Sequence, residues 1–152
     1  MKRFASLAAA LATLLAVALQ CAAAEGGDVQ RGQYLSQAGG CMACHTEDKK
    51  DAVPYAGGRA LKTPFGTFYG PNITPDPEAG IGKWAATDFV RAMRHGERPD
   101  DANYFPAFPY PSFTRISDAD LRDLWAYLRS LAPSKRANQP HELKFPFSLR
   151  LL

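Results

Sequence analysis

The chain has 152 residues, with 18 basic against 15 acidic side chains, a formal net charge of +3 and three cysteines. So small a basic excess excludes a charge-driven nucleic-acid binder and strong long-range steering to a charged partner. Taken in order, residues 1–24 read as a targeting segment. Lys2 and Arg3 start it, Phe4 to Leu19 is an almost unbroken apolar run, and Ala22-Ala23-Ala24 offers a small-x-small cleavage site. The run is short for a membrane anchor. Cys21 follows the bulky, polar Gln20, where a lipidated cysteine would follow a small residue, so it is expected to leave with the segment. Cleavage after Ala24 gives an exported chain, Glu25–Leu152, long enough for one domain. Lys2 and Arg3 go with the segment, so the charge falls from +3 to +1, and only Cys41 and Cys44 remain.

Asp28 caps a short helix running through Val29, Tyr34 and Leu35 to about Ala38. Gly32 lies inside it, where glycine costs helix stability; a close helix crossing or plain tolerance would account for it. Gly39-Gly40 ends the helix and releases the chain into Cys41-Met42-Ala43-Cys44-His45. This is Cys-x-x-Cys-His, the attachment signature of a c-type haem. Two thiols add across the two vinyl groups, and the next histidine turns under the iron as its proximal ligand. Half a zinc site would need two more ligands at paired spacing, and the chain has no second Cys pair and no His-x-x-x-His. A thioredoxin-like pair would need a βαβ pattern, which is absent, and a plain disulfide would leave His45 unexplained. One motif predicts one haem, covalently held, in this chain.

From Thr46 to Gly82 prolines and glycines predict a long loop with little regular structure beyond a short hairpin around Thr63–Tyr69. A loop of this length needs something to fill its middle, and a haem plate does that. Arg59, Tyr69 and Asn72 are candidates to bond haem propionates or loop backbone. Trp84 leads the next helix, which opens at Thr87 or Asp88 and runs through Phe89, Val90 and Met93 to Arg94 or His95, where Gly96 stops it. An aromatic-proline loop follows, Tyr104 to Tyr110. The last helix is capped by Ser117, with Asp120 three residues on, and carries the apolar stripe Leu121, Leu124, Trp125, Leu128 and Leu131. The tail Pro140–Leu152 reads as extended, and Phe145-Pro146-Phe147 is too apolar for an idle linker.

Helix, haem motif, long loop, Trp-led helix, aromatic-proline loop and terminal helix is the order of a class I cytochrome c. Thr63-Pro64-Phe65-Gly66-Thr67, Pro71-Asn72-Ile73-Thr74-Pro75-Asp76, Gly80-Ile81-Gly82-Lys83-Trp84 and Pro106-Ala107-Phe108-Pro109-Tyr110 resemble the cytochrome c subunits of bacterial periplasmic dehydrogenases. That group serves alcohol, gluconate and sorbose-type dehydrogenases and some molybdenum hydroxylases. The resemblance implies an all-α cytochrome c fold, three to five short helices around one haem c. It divides the chain into a leader 1–24, a haem domain 25–137 and an extended tail 138–152. It also implies that Gly32 marks the crossing of the first and last helices, with Trp125 and Leu128 opposite.

Many such subunits have Pro-Ala-Met-Pro-Tyr in the aromatic-proline loop, and that methionine is the distal iron ligand. Here the position is Phe108, which has no donor atom. In the class, a tryptophan bonds a propionate and the residue nine positions later lines the distal haem face. Trp84 and Met93 keep that spacing. Met93 is therefore the expected sixth ligand. His95, His141 or an open, water-filled site are the alternatives, and Met42, between the cysteines, is poorly placed. The expected function is a periplasmic mono-haem electron carrier, not an enzyme. It would take single electrons from a periplasmic dehydrogenase and pass them to a cytochrome, an oxidase or a quinone-linked complex. It would bind no nucleic acid and meet a membrane only through a partner. A haem enzyme or gas-binding sensor would need an open sixth site, and a peroxidase would also need a distal acid–base pair that the sequence does not supply.

Overall fold

The computed structural model describes residues 26–149; the expected targeting segment and Cys21 lie outside the described residues. Four helices form among them: α1 (Val29–Ala38), α2 (Cys41–His45), α3 (Ala86–His95) and α4 (Asp118–Ser130). Asp28 caps α1, its carboxylate accepting from the Gln30 and Arg31 N–H groups, and Ser117 caps α4 by accepting from Asp120 N–H at 3.1 Å. The third helix starts one residue before Thr87. The Asp88 carboxylate folds back to accept from Ala85 N–H at 2.9 Å, which makes Ala85 the cap. Gly96 ends α3 in the left-handed conformation, φ +67°.

The first and last helices cross at Gly32. A β-carbon there would stand 2.0 Å from the Asp123 carbonyl oxygen and 2.8 Å from Tyr127 Cβ, so only hydrogen fits. The residues opposite are thus Asp123 and Tyr127, not Trp125 and Leu128. On α4, positions 123 and 127 share one face, while Leu121, Leu124 and Leu128 turn toward the core and Trp125 stacks on Phe89 with ring centres 5.4 Å apart. Polar contacts fix the crossing: Asp123 Oδ1 accepts from Asp28 N–H at 2.7 Å, and Arg31 pairs with Asp120 and Asp123. The core runs between α3 and α4 and holds Tyr55, Ile81, Phe89, Met93, Leu121, Leu124, Tyr127 and Leu128. Each fully buried leucine in it contributes about 1.5–3 kcal/mol.

The purely helical expectation needs correcting. Strands β1 (Ala60–Thr63), β2 (Gly66–Tyr69) and β3 (Glu142–Leu143) make an antiparallel sheet in the order β1-β2-β3. The hairpin foreseen around Thr63–Tyr69 starts three residues earlier, and its third strand comes from the tail. Gly66, at φ +126°, lets the tail approach: a β-carbon there would lie 2.3 Å from the Glu142 carbonyl oxygen. Phe147 then meets Phe65 edge to face, ring centres 4.7 Å apart. The tail packs on the domain.

Candidate haem site

The Cys-x-x-Cys-His stretch is itself one turn of helix. Gly40, at φ +68°, swings the chain from α1 into α2. Cys41, Cys44 and His45 stand at i, i+3 and i+4, so both thiols and the imidazole share one face. Both cysteines are free and half-buried, and Cys41 packs against the core cluster that holds Met93. Burial pushes the Cys41 thiol pKa up, while a hydrogen bond with Ser36 pulls it down.

Two glycines shape the space behind His45. A β-carbon on Gly70 would stand 1.7 Å from the Cys44 carbonyl oxygen, and one on Gly57 would fall 2.6 Å from the Pro71 carbonyl carbon. With hydrogen at both positions, the segments around residues 57 and 70 lie directly against the haem motif. Gly57 N–H donates to the His45 carbonyl at 2.8 Å, and Gly58 N–H donates to the Gly70 carbonyl at 2.8 Å. The same approach puts the Pro71 carbonyl oxygen 2.8 Å from His45 Nδ1. A carbonyl only accepts, so Nδ1 carries the proton and Nε2 is left with a lone pair. Burial lowers the pKa of the ring against the opposing pull of Pro71, which favours the neutral form. An orienting carbonyl on one ring nitrogen and a free lone pair on the other is how metal-binding histidines are set.

The distal candidates separate by burial. Met93 is 8% exposed, inside the central cluster on the same face of α3 as Phe89. Trp84, just ahead of α3, and Phe108 both pack half-buried against that cluster. His95 is exposed at the end of α3. His141 lies just before β3, where its Nδ1 accepts from Tyr69 N–H at 3.1 Å and its ring meets Phe68 and Phe105. Met42 is 42% exposed. The structure thus groups Cys41, Trp84, Met93 and Phe108 around one cluster and leaves both alternative histidines outside it.

Three of the propionate candidates have protein partners. Arg59 pairs with Asp48 at 2.9 Å, and Tyr69 donates to Glu142 at 3.0 Å. Asn72, 2% exposed, is a loop clamp: its Nδ2 donates to the Ser134 and Arg136 carbonyls, and its Oδ1 accepts from Thr74 N–H and Oγ1. The segment after α4, residues 134–138, therefore lies across the loop that holds His45. Sequence reasoning missed this strap. Arg136 closes it onto Glu47, two residues past His45, at 2.5 Å; Arg136 and Lys49 hold the Glu47 carboxyl down to about 2. Only the Pro71-Asn72-Ile73-Thr74 run hinted at it, since a polar pair amid prolines needs partners for its side chains.

The cytochrome c family model matches residues 29–132. The chain belongs to the cytochrome c family. A cytochrome c carries its haem covalently, and the donor set fits one: two free thiols and a neutral imidazole on one face of α2, with the ring fixed from behind. Among the described residues no group of three or more His, Cys, Asp or Glu could hold a bare metal ion. The chain is 43% identical over 129 residues to a diheme cytochrome c-type protein of Cereibacter sphaeroides, covering 83% of this chain and 44% of that one. It is 42% identical over 154 residues to the cytochrome c subunit of the quinone alcohol dehydrogenase of Gluconobacter oxydans, covering 99% and 32%. It is also 43% identical over 145 residues to the gluconate 2-dehydrogenase cytochrome c subunit of Pantoea cypripedii, covering 95% and 32%. The chain thus spans less than half the length of these curated relatives. Among the described residues no helix is long and apolar enough to cross a membrane.

Proposed function

We propose that this cytochrome c is a mono-haem electron carrier of the periplasm. On this reading it takes single electrons from a dehydrogenase and hands them to another cytochrome, an oxidase or a quinone-linked complex. The observation that carries the proposal is the His45 ring. Nδ1 is bound to the Pro71 carbonyl at 2.8 Å and the Nε2 lone pair is left for iron, on the helix face that also presents both thiols. Cys41 and Cys44 would hold the haem by two thioether bonds, and His45 would be the proximal ligand. Met93 is the sixth-ligand candidate because it is the buried thioether in the cluster that Cys41 packs against. Trp84, packed against the same cluster, would bond a propionate, and Phe108 would keep water from the distal side. Bound haem supplies an iron that gains and loses one electron. Held by His45 and Met93, it would change charge with little rearrangement of the chain around it.

One haem within these 152 residues is supported by their single Cys-x-x-Cys-His. A dehydrogenase donor is supported by what the relatives are called. The sequence supports export through the leader 1–24. Asn138 and β3 bond to the loop and to β2, which supports a tail that packs on the haem domain.

A carrier with both iron positions filled is inert toward small ligands. The reduced protein mixed with carbon monoxide, and separately with peroxide, should give neither a ligand-bound spectrum nor rapid turnover. Tight carbon monoxide binding or rapid peroxide consumption would overturn the carrier reading in favour of a gas sensor or a haem enzyme.

A further inference from the structure

The peptide unit between Pro71 and Asn72 is held at both ends. Its carbonyl oxygen lies 2.8 Å from His45 Nδ1, and its N–H donates to Asn138 Oδ1 at 2.7 Å. A peptide unit is planar and conjugated, so these two bonds act on one resonance system. An acceptor on the N–H end pushes electron density to the oxygen and makes it a stronger acceptor, as hydrogen bonds in chains strengthen one another. Asn138 is itself fixed. Its Nδ2 donates to the Ala79 carbonyl at 2.9 Å, and the strap around it is clamped by Asn72 on the Ser134 and Arg136 carbonyls.

We propose that Asn138 is a positioning residue for the proximal ligand, acting on His45 through the Pro71–Asn72 peptide to set the reduction potential of the haem iron. The proposal rests on the reading of His45 as that ligand. A stronger acceptor at Nδ1 makes the imidazole more electron-rich at Nε2, and a more basic ligand favours the oxidised iron. Asn138 therefore lowers the potential. It does so from outside the 29–132 stretch that the family model matches.

The test uses the haem-loaded protein and three substitutions. Asn138→Ala removes the acceptor and should raise the midpoint potential. It should shift the His45 Nδ1–H proton resonance of the reduced protein upfield and speed amide exchange at Asn72 about fivefold, as the loss of one hydrogen bond does. Asn138→Asp keeps an acceptor oxygen, makes it stronger, and loses only the donor to Ala79; it should lower the potential and move the resonance downfield. Gln139→Glu adds the same charge next door and should change the potential less than Asn138→Asp does. If Asn138 only held the strap, both Asn138 variants would lose the Ala79 bond and shift the same way. Shifts of equal sign, or an unmoved resonance in Asn138→Ala, overturn the proposal while leaving His45 as ligand. A protein that takes up no haem at Cys41 and Cys44 overturns both.

Discussion

Replacing Met93 with alanine should abolish the sulfur-to-Fe(III) charge-transfer absorption, lower the midpoint potential and open the iron to carbon monoxide. A thioether is a soft ligand that favours Fe(II), so its loss removes an influence that raises the potential. Phe108 packs against the same cluster as Met93, but it has no atom to offer iron. Alanine at a buried methionine also costs about 2–5 kcal/mol of packing, which disturbs the spectrum by itself. Met93→Leu separates the two effects. It keeps the volume, costs under about 1.5 kcal/mol, and should still lose the absorption and bind carbon monoxide. His95→Ala, at an exposed helix end, should change none of these. If Met93→Leu keeps a six-coordinate spectrum and its potential, Met93 is core packing only.

Gly70→Ala should be among the most damaging single substitutions in the chain. The added methyl would stand 1.7 Å from the Cys44 carbonyl oxygen, a backbone atom that cannot swing aside. Either the segment carrying Pro71 backs away from the haem motif, or α2 shifts. Both break the bond from His45 Nδ1 to the Pro71 carbonyl. The cost should reach at least about 3 kcal/mol, the upper end of overpacking. Denaturant unfolding of the matured protein checks the stability, and its redox titration should show a raised potential as His45 loses its carbonyl partner. Unchanged stability and potential would mean that the close approach does not matter.

The sequence announced what is local and hid what is distant. Cys-x-x-Cys-His is chemistry written in five adjacent residues, and the helix caps at Asp28 and Ser117 read correctly because a cap involves neighbours three residues apart. Gly32 was legible as a crossing point, since a glycine inside a helix invites that explanation. Its partners were not: choosing Asp123 and Tyr127 over Trp125 and Leu128 depends on how far α4 is rotated about its axis, which the stripe leaves open when it spans several faces. The hairpin was foreseen, but the third strand escaped because β3 is two residues long and pairs across more than seventy positions. Asn72 was singled out, but its partners Ser134, Arg136 and Asn138 come from a strap with no pattern of its own. Met93 stood out by elimination and by its nine-residue spacing from Trp84, and its burial beside Phe89 agrees with that choice without deciding it.

The most direct test of the account is whether haem is joined to Cys41 and Cys44. The protein is produced with and without a cytochrome c maturation system, extracted with acidified solvent and weighed by mass spectrometry, alongside Cys41→Ser and Cys44→Ser variants. The account predicts that the matured protein keeps its colour through extraction and gains the mass of one haem. It predicts that each single variant keeps at most one bond and matures poorly, and that the unmatured protein carries no attached haem. Haem that extracts freely from the matured protein, or a mass that corresponds to two haems, would contradict it.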